Sequence, residues 1–216
     1  MNPTHLILAA AGLPALLLAA CGGPPAREAA PAAPSPVAAA EATPSPARAA
    51  YAPADAAFMQ QMIAHHRQAL EMTALVPARA ERAIVERLAG RIEASQVAEI
   101  DQMRRWLEAK GAPIAGTGGH DDHDAAEHGG AMPGMLTGEE MERLAAASGA
   151  DFDRLFVTLM IRHHEGALAM VADLFATEGA GQEPDLFRLA SDVDADQRAE
   201  IARMRQVLTT LPEESP

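Results

Sequence analysis

Two short stretches of this chain carry residues that can bind metal ions: "MIAHHRQALEM", which begins at Met62, and "MIRHHEGALAM", which begins at Met160. They hold four of the 8 histidines, as the adjacent pairs His65-His66 and His163-His164. In both stretches a methionine precedes and another follows the pair at the same offsets. Imidazole nitrogen and thioether sulfur are ligands that suit copper, and methionine supplies a soft ligand without a thiol. The two stretches therefore make copper one candidate ligand.

An internal repeat predicts the elements that position these histidines. A shift of 98 positions superposes residues 58–72 on residues 156–170, and a shift of 101 positions superposes residues 96–107 on residues 197–208. Each half reads as a helix, a short connection and a second helix, and signals for β-strands are absent. We therefore predict an all-α, ferritin-like, up-down four-helix bundle made of two repeated helical hairpins.

Capping and breaking residues predict where these helices begin and end. Asp55 and Asp151 are the predicted N-caps of the first and third long helices, and Pro77 marks the end of the first. The second long helix is expected to end at Gly111. Thr137 opens a capping box, which predicts a short extra helix before the second half.

Along each predicted helix, residues at heptad spacing share one face and form an apolar stripe, which we call the seam. In all four helices polar residues interrupt the seam at equivalent positions. The seam positions direct His65 and His163 toward the bundle axis, and place His66 and His164 at helix–helix borders. A buried carboxylate without a partner costs several kcal/mol, so the Glu and Gln of the other two seams are expected to pair with these histidines. The predicted polar layer contains His65, His163, Glu99, Glu200, Gln96 and Gln197, and its walls contain Met62, Met72, Met103, Met160, Met170 and Met204.

Three interpretations of this layer remain open. In the first it is structural: histidine, glutamate and glutamine satisfy one another by hydrogen bonds, and methionine only fills gaps in the core. In the second, Glu99, Glu200 and the histidines hold iron, manganese or zinc. Di-iron bundles use Glu-x-x-His on single helices, however, and that motif is missing around these pairs. In the third the layer binds copper through the two histidine pairs, with methionines as soft ligands.

The segment between the two halves offers a second set of ligands. "GTGGHDDHDAAEHGGAMPGM" combines histidine, aspartate and methionine with many glycines, a composition typical of metal-binding tracts. Aspartate and histidine suit Cu(II) or zinc, whereas methionine suits Cu(I). The alternative is a solvated acidic loop. The possible ligands here are His120, His123, His128, Met132 and Met135.

The N-terminus predicts export. Residues 1–20 contain an apolar run of the length of a signal-peptide core, and Leu18-Ala19-Ala20-Cys21 resembles the lipobox of bacterial lipoproteins. That resemblance implies a lipid on Cys21 and an anchor in the outer membrane, on its periplasmic side; the alternative is an ordinary secretory signal with a chance cysteine. Residues 21–53, rich in Ala and Pro, are an expected disordered tether.

Composition excludes several classes of function. The formal net charge is −13, and the charges of the tether cancel, so the acidic domain argues against nucleic acid as a partner. Nucleophilic triads, phosphate loops and dinucleotide fingerprints are absent, which argues against an enzyme.

The doubled MIxHHxxAxxM motif, the doubled Q-x-x-E-I-x-x-M motif and "MPGMLTGEEMERL" resemble the bacterial family called domain of unknown function 305. The resemblance covers about residues 54–211 and implies a ferritin-like bundle in exported or lipid-anchored proteins. Some members bind copper in the periplasm, with Met and His as ligands. The halves are expected at residues 54–110 and 137–211, joined by the linker 111–136 and followed by the tail 212–216.

We therefore expect a lipid-anchored periplasmic protein that binds copper and sequesters it or hands it to a partner protein that the sequence does not identify. A metal-dependent oxidoreductase of the ferritin type, using iron or manganese, and a purely structural bundle are the alternatives.

Overall fold

A computed structural model describes residues 51–114 and 132–212 of the chain. Within these residues the secondary structure is entirely helical. The helices are α1 (Pro53–Ala74), α2 (Val76–Arg79), α3 (Ala83–Lys110), α4 (Gly138–Ala146), α5 (Gly149–Ala176) and α6 (Pro184–Leu208). The predicted bundle of two repeated hairpins, with a short helix before the second, is confirmed: α1 pairs with α3, and α5 pairs with α6.

The helix ends follow the local sequence with two exceptions. α3 ends at Lys110 and is capped by Gly111, whose φ of 64° is the left-handed conformation that glycine tolerates best. The capping box at Thr137 is present, with its side chain accepting from the backbone nitrogen of Glu140. The N-caps predicted at Asp55 and Asp151 are wrong. Both residues lie in the first turns of α1 and α5, because each helix begins two residues earlier, at Pro53 and at Gly149.

Four long helices form the bundle, and their buried side chains separate into two apolar clusters. The first cluster contains Met62 of α1 and Met170 of α5, whereas the second contains Met72 of α1 and Met160 of α5. The two helices therefore run antiparallel, and the same comparison places α3 and α6 antiparallel to each other. α1 also packs on α5, and α3 packs on α6, which closes the bundle.

Two buried aspartates at equivalent positions connect the hairpins. Asp55 of α1 accepts a hydrogen bond of 2.8 Å from the backbone nitrogen of Gly181, in the α5–α6 connection. Asp153 of α5 accepts from the backbone nitrogens of Glu81 and Arg82, just before α3, at 3.2 and 3.0 Å. Each hairpin thus satisfies buried backbone donors in the connection of the other, which fixes how the two pack.

No helix in residues 51–114 or 132–212 is long and apolar enough to cross a membrane. The predicted signal segment, most of the tether with Cys21, and the linker residues His120, His123 and His128 lie outside the described residues.

Candidate metal centre

A layer of polar side chains crosses the middle of the bundle between the two apolar clusters. The four paired histidines are almost fully excluded from solvent, with exposed fractions of 0 to 1%. Glu99 and Glu200 are 7% and 6% exposed. We call this set the histidine layer; its members are His65, His66, Gln96, Glu99, His163, His164, Gln197 and Glu200.

The glutamates pair with the second histidine of each pair, whereas the predicted polar layer named only the first, His65 and His163. His66 Nε2 lies 2.5 Å from Glu99 Oε2, and His164 Nε2 lies 2.8 Å from Glu200 Oε2. These side chains meet because His66 and His164 stand at the border between the two helices of each hairpin. A carboxylate accepts only, so each ring donates its Nε2 proton.

The seam histidines of the two hairpins contact each other. The ring centroids of His65 and His163 are 3.9 Å apart, with an interplanar angle of 40°. Burial lowers the pKa of His65 to about 4, although its hydrogen bond to the Pro133 carbonyl oxygen, at 2.9 Å, acts in the opposite direction. Burial likewise holds the pKa of His163 well below its ordinary value. Both rings are therefore neutral at neutral pH.

One nitrogen of every ring in the layer has no hydrogen-bond partner. His65, His66 and His164 each donate from Nε2 to an oxygen, which leaves the Nδ1 lone pair buried and free. In the described part of the chain, all buried side-chain polar atoms without a partner belong to this layer: Nδ1 of His65, His66 and His164, Nε2 of His163, Oε1 of Gln96, and both amide atoms of Gln197. Each such atom costs about 1–3 kcal/mol when it stays unpaired. The unpaired polar atoms of the described residues are therefore concentrated in this layer.

The predicted methionines lie on both sides of this layer. Three, Met62, Met103 and Met170, belong to the first cluster, and the other three, Met72, Met160 and Met204, belong to the second. Each triad takes two methionines from one hairpin and one from the other. All six are buried, so the layer lies between two apolar regions rich in polarisable sulfur.

The linker methionines adjoin the bundle. Met132 and Met135 are partly buried, Met132 packs against the first cluster, and the backbone nitrogen of Met135 donates to the Met132 carbonyl oxygen at 3.2 Å. The structure thus brings the end of the linker to the histidine layer through the intervening Pro133. Whether the linker histidines join them stays a prediction, since those residues lie outside the described part.

The other side of the layer, between α3 and α6, carries a carboxylate that sequence analysis missed. Asp196 is an exposed residue, but local desolvation and the negative charges of Glu99, Glu200 and Asp192 raise its pKa. Its equivalent in the first hairpin is Ser95, whose hydroxyl donates to Glu99 Oε1 at 3.2 Å. The 101-position shift that relates the second helices of the two hairpins could have identified this difference.

A hard-metal site rich in carboxylates is not preformed here. Among residues 51–114 and 132–212, no three His, Cys, Asp or Glu side chains are arranged so that they could share one ion. Glu99 and Glu200 already accept hydrogen bonds from the Nε2–H groups of His66 and His164. The unpaired ligand atoms are the imidazole lone pairs and the side-chain oxygens of Gln96 and Gln197. Imidazole favours borderline or soft ions over iron or manganese held by carboxylates.

The sequence profile of the domain of unknown function DUF305 matches residues 55–208. The chain belongs to the DUF305 family. The matched range contains the complete histidine layer.

Solved DUF305 structures share this fold. A DUF305 fragment from Deinococcus radiodurans is 33% identical with a TM-score of 0.62, over 74% of this chain and 99% of that one. A DUF305 protein from Streptomyces coelicolor is 30% identical with a TM-score of 0.60, over 78% of this chain and 100% of that one. No curated protein sequence matches the chain.

CopM, in a Cu(I)-bound form, is 28% identical to this DUF305 chain with a TM-score of 0.53, over 72% of this chain and 96% of CopM. It has also been solved in silver-bound and Cu(II)-bound forms. A bundle similar to this one therefore accepts copper and silver ions.

Proposed function

We propose that this DUF305 protein binds copper, as Cu(I), through imidazole nitrogens of the histidine layer, and sequesters the ion or hands it over. The observation that carries the proposal is the set of buried ring nitrogens that have no hydrogen-bond partner. A cation bound between two of them would satisfy both, which the protein's own side chains do not.

The hydrogen bonds at the far side of each ring support this role. A histidine ligand must be neutral, and the bond made by its other nitrogen decides which tautomer is present. In His66 and His164 a glutamate holds the Nε2 proton, and in His65 the Pro133 carbonyl oxygen does so. The lowered pKa values of His65 and His163 mean that these rings need not lose a proton before they bind an ion.

Copper fits this donor set better than zinc, iron or manganese. Cu(I) tolerates low coordination numbers and prefers imidazole and thioether ligands. The protein places methionines on both sides of the histidine layer. The copper- and silver-bound forms of CopM support the same choice, since silver(I) is a soft ion like Cu(I). A water molecule bridging the same atoms is the alternative occupant, because buried water commonly satisfies polar groups that lack a protein partner.

We propose a binding role in preference to an enzymatic one. The histidine layer is closed on both sides, by the linker end and by the glutamates, which suits the retention of an ion better than access of a substrate. A metal-dependent oxidoreductase of the ferritin type would instead need an open coordination position.

We also propose that the protein is exported and held by a lipid on Cys21 at the periplasmic face of the outer membrane. The apolar segment that ends at Cys21 supports this location. The Ala/Pro-rich tether would then allow the bundle to reach copper, or a copper-handling partner, at some distance from the membrane.

The test is a titration of the purified protein with Cu(I), in the presence of a competing chelator that sets the affinity scale. Saturable binding is expected for the wild type, and loss of at least tenfold in affinity, a change of about 1.4 kcal/mol, for the double variant His65→Gln plus His163→Gln. Glutamine keeps the layer polar and removes the imidazole lone pairs. The matched control is Leu70→Ala plus Leu168→Ala, at equivalent partly buried positions on the same helices, which should bind like the wild type.

Three results would contradict the proposal. If the wild type and the histidine variant bind Cu(I) alike, the site is elsewhere. If protein isolated from its own cells carries iron or manganese and consumes peroxide, the oxidoreductase alternative is correct. If no metal binds and the histidine variant unfolds far more easily, the layer is structural.

A further inference from the structure

Residues Met132–Leu136, which we call the strap, cross the outside of the histidine layer. Met132 packs against the first apolar cluster, and Leu136 is buried in the second. The strap therefore passes from one side of the layer to the other over the α1–α5 interface. Gly134, at its centre, has a φ of 77°, a conformation that side chains other than glycine rarely adopt.

The strap lies directly on the backbone of α5. A Cβ atom on Gly166 would lie 2.0 Å from the carbonyl oxygen of Pro133. A Cβ atom on Gly134 would lie 2.6 Å from the Arg162 carbonyl oxygen and 2.9 Å from that of His163. Two glycines, one on each surface, thus permit a contact closer than any side chain would allow, at the turn of α5 that carries His163.

A glutamine on α1 holds the other side of the strap. Gln68 Nε2 donates to the Leu136 carbonyl oxygen at 2.9 Å, and the Leu136 backbone nitrogen donates to Gln68 Oε1 at 2.8 Å. One amide side chain therefore satisfies both backbone polar groups of Leu136, as a neighbouring strand would. Just beyond the strap, Arg162 of α5 makes two bonds of 2.6 Å to Glu140 of α4.

The strap also contributes an atom to the histidine layer. The Pro133 carbonyl oxygen accepts the Nε2 proton of His65, while Pro133 itself is exposed. Displacement of the strap would thus release one ring nitrogen and open the layer to solvent in the same movement.

The other boundaries of the layer are harder to open. Along the bundle axis it is covered by the two apolar clusters. At the α3–α6 side, a ring N–H donates to a carboxylate in each of the two His–Glu pairs. A hydrogen bond to a carboxylate is stronger than one between neutral groups. The strap is held at the layer by bonds between neutral groups: those of Gln68 with Leu136, and that of His65 with Pro133.

We infer that the strap is the gate of the metal centre: copper enters and leaves when Met132–Leu136 lifts from α1 and α5, and Gln68 is the latch that keeps it closed. This inference rests on the proposed copper-binding function. Gln68 acts as a positioning residue, since it holds the strap and has no place among the proposed ligands.

The test compares Gln68→Ala with Gln60→Ala in the full chain. Gln60 is a suitable control because it lies on the same helix and donates a single bond, of 2.7 Å, to the Pro113 carbonyl oxygen at the start of the linker. Rates of Cu(I) uptake and release would be measured by stopped-flow exchange with a coloured Cu(I) chelator. Strap opening would be measured without metal, from the rate of amide hydrogen exchange at Leu136.

In Gln68→Ala we expect amide exchange at Leu136, copper uptake and copper release all to become about tenfold faster, the factor that corresponds to about 1.4 kcal/mol. The affinity should change much less, because uptake and release are accelerated together. Gln60→Ala should leave all three rates unchanged. Should Gln68→Ala fail to fold, Gln68→Glu retains an acceptor for the Leu136 nitrogen and should produce a smaller acceleration of the same kind.

The outcomes separate the gate from the binding function. If Leu136 exchanges faster in Gln68→Ala while both copper rates stay at the wild-type value, the strap is not the gate, and the proposed function is unaffected. If Asp196→Asn, on the opposite side, changes the copper rates and Gln68→Ala does not, the ion passes between α3 and α6. If the wild type binds no Cu(I), the proposed function and the gate are both wrong.

Discussion

His65 and His163 occupy equivalent positions in the two hairpins, but their surroundings differ. His65 donates to the strap, through the Pro133 carbonyl oxygen, whereas Nε2 of His163 has no partner. The difference continues one turn further along each helix. Gln68 in α1 bonds the strap, and its equivalent in α5 is Gly166, which makes room for it.

This comparison shows how a single linker breaks the symmetry of a duplicated fold. Two hairpins related by a twofold axis offer two equivalent surfaces, but one strap has to lie on both of them at once. One hairpin therefore supplies the hydrogen bonds and the other supplies the space. A second difference lies on the opposite side of the layer, where Ser95 donates to Glu99 in the first hairpin and Asp196 faces Glu200 in the second.

The largest expected effect concerns acid, and it tests whether the two seam histidines differ. The unfolded chain takes up a proton on His65 near pH 6.5, but the folded, metal-free protein takes it up only near pH 4. The free energy of unfolding therefore falls as the pH drops from about 6.5 through about 4, by about 3 kcal/mol for His65. His163 should add a further loss, since its pKa is also held well below the ordinary value.

Urea unfolding at several pH values between about 7 and about 4 would check this prediction. The loss should be smaller in His65→Gln and in His163→Gln. A pH-independent stability in this window would show that these rings take up protons as readily in the folded state as in the unfolded chain.

The second prediction compares the two glutamates. Glu99→Ala should lower the free energy of unfolding by about 2–3 kcal/mol, because it leaves both the His66 ring and the Ser95 hydroxyl without an acceptor. Glu200→Ala should cost less, about 1–2 kcal/mol, because one ring loses its acceptor and Asp196 loses a repelling neighbour. Chemical denaturation of the metal-free protein would measure both, and a larger loss in Glu200→Ala would contradict the comparison.

The third prediction tests the space that Gly166 provides. Gly166→Ala should destabilise the protein by about 1–2 kcal/mol, because the new Cβ atom would overlap the Pro133 carbonyl oxygen. The control is Gly90→Ala in α3, where nothing lies within 4 Å of the new atom, and where alanine should stabilise the helix by up to about 1 kcal/mol. If both variants are more stable than the wild type by similar amounts, the strap does not need the glycine.

The smallest effect is expected at the acidic side of the layer. Asp196→Ser recreates in the second hairpin the serine of the first, and should raise the free energy of unfolding by about 0.5 kcal/mol, since one repulsion is removed. Asp101→Ser, at an exposed position of α3, is the control and should have no measurable effect. Precise thermal unfolding near neutral pH would detect the difference, and a loss of stability in Asp196→Ser would show that this carboxylate is attractive rather than repulsive.

The comparison of the hairpins also shows what sequence reasoning could and could not reach. The repeat predicted four long helices and a buried polar layer, since equal spacing places equal side chains on equal faces. It did not identify which histidines bond the glutamates, because a heptad pattern gives the face of a helix but not the distance to a neighbour across a border. Asp153, which lies buried against the connection before α3, was missed for the same reason.

By itself, the sequence determined the helical duplication and the burial of two histidine pairs with glutamates and methionines. It also determined that these buried side chains are of types that bind metal ions. These follow from residue type and period, which are local properties of the chain. Only the tertiary structure decided that His65 and His163 would meet, and that a proline carbonyl oxygen from the linker would bind one of them. Such contacts join residues far apart in the chain, and they depend on how closely two helices and a loop can approach, which glycine at Gly134 and Gly166 permits.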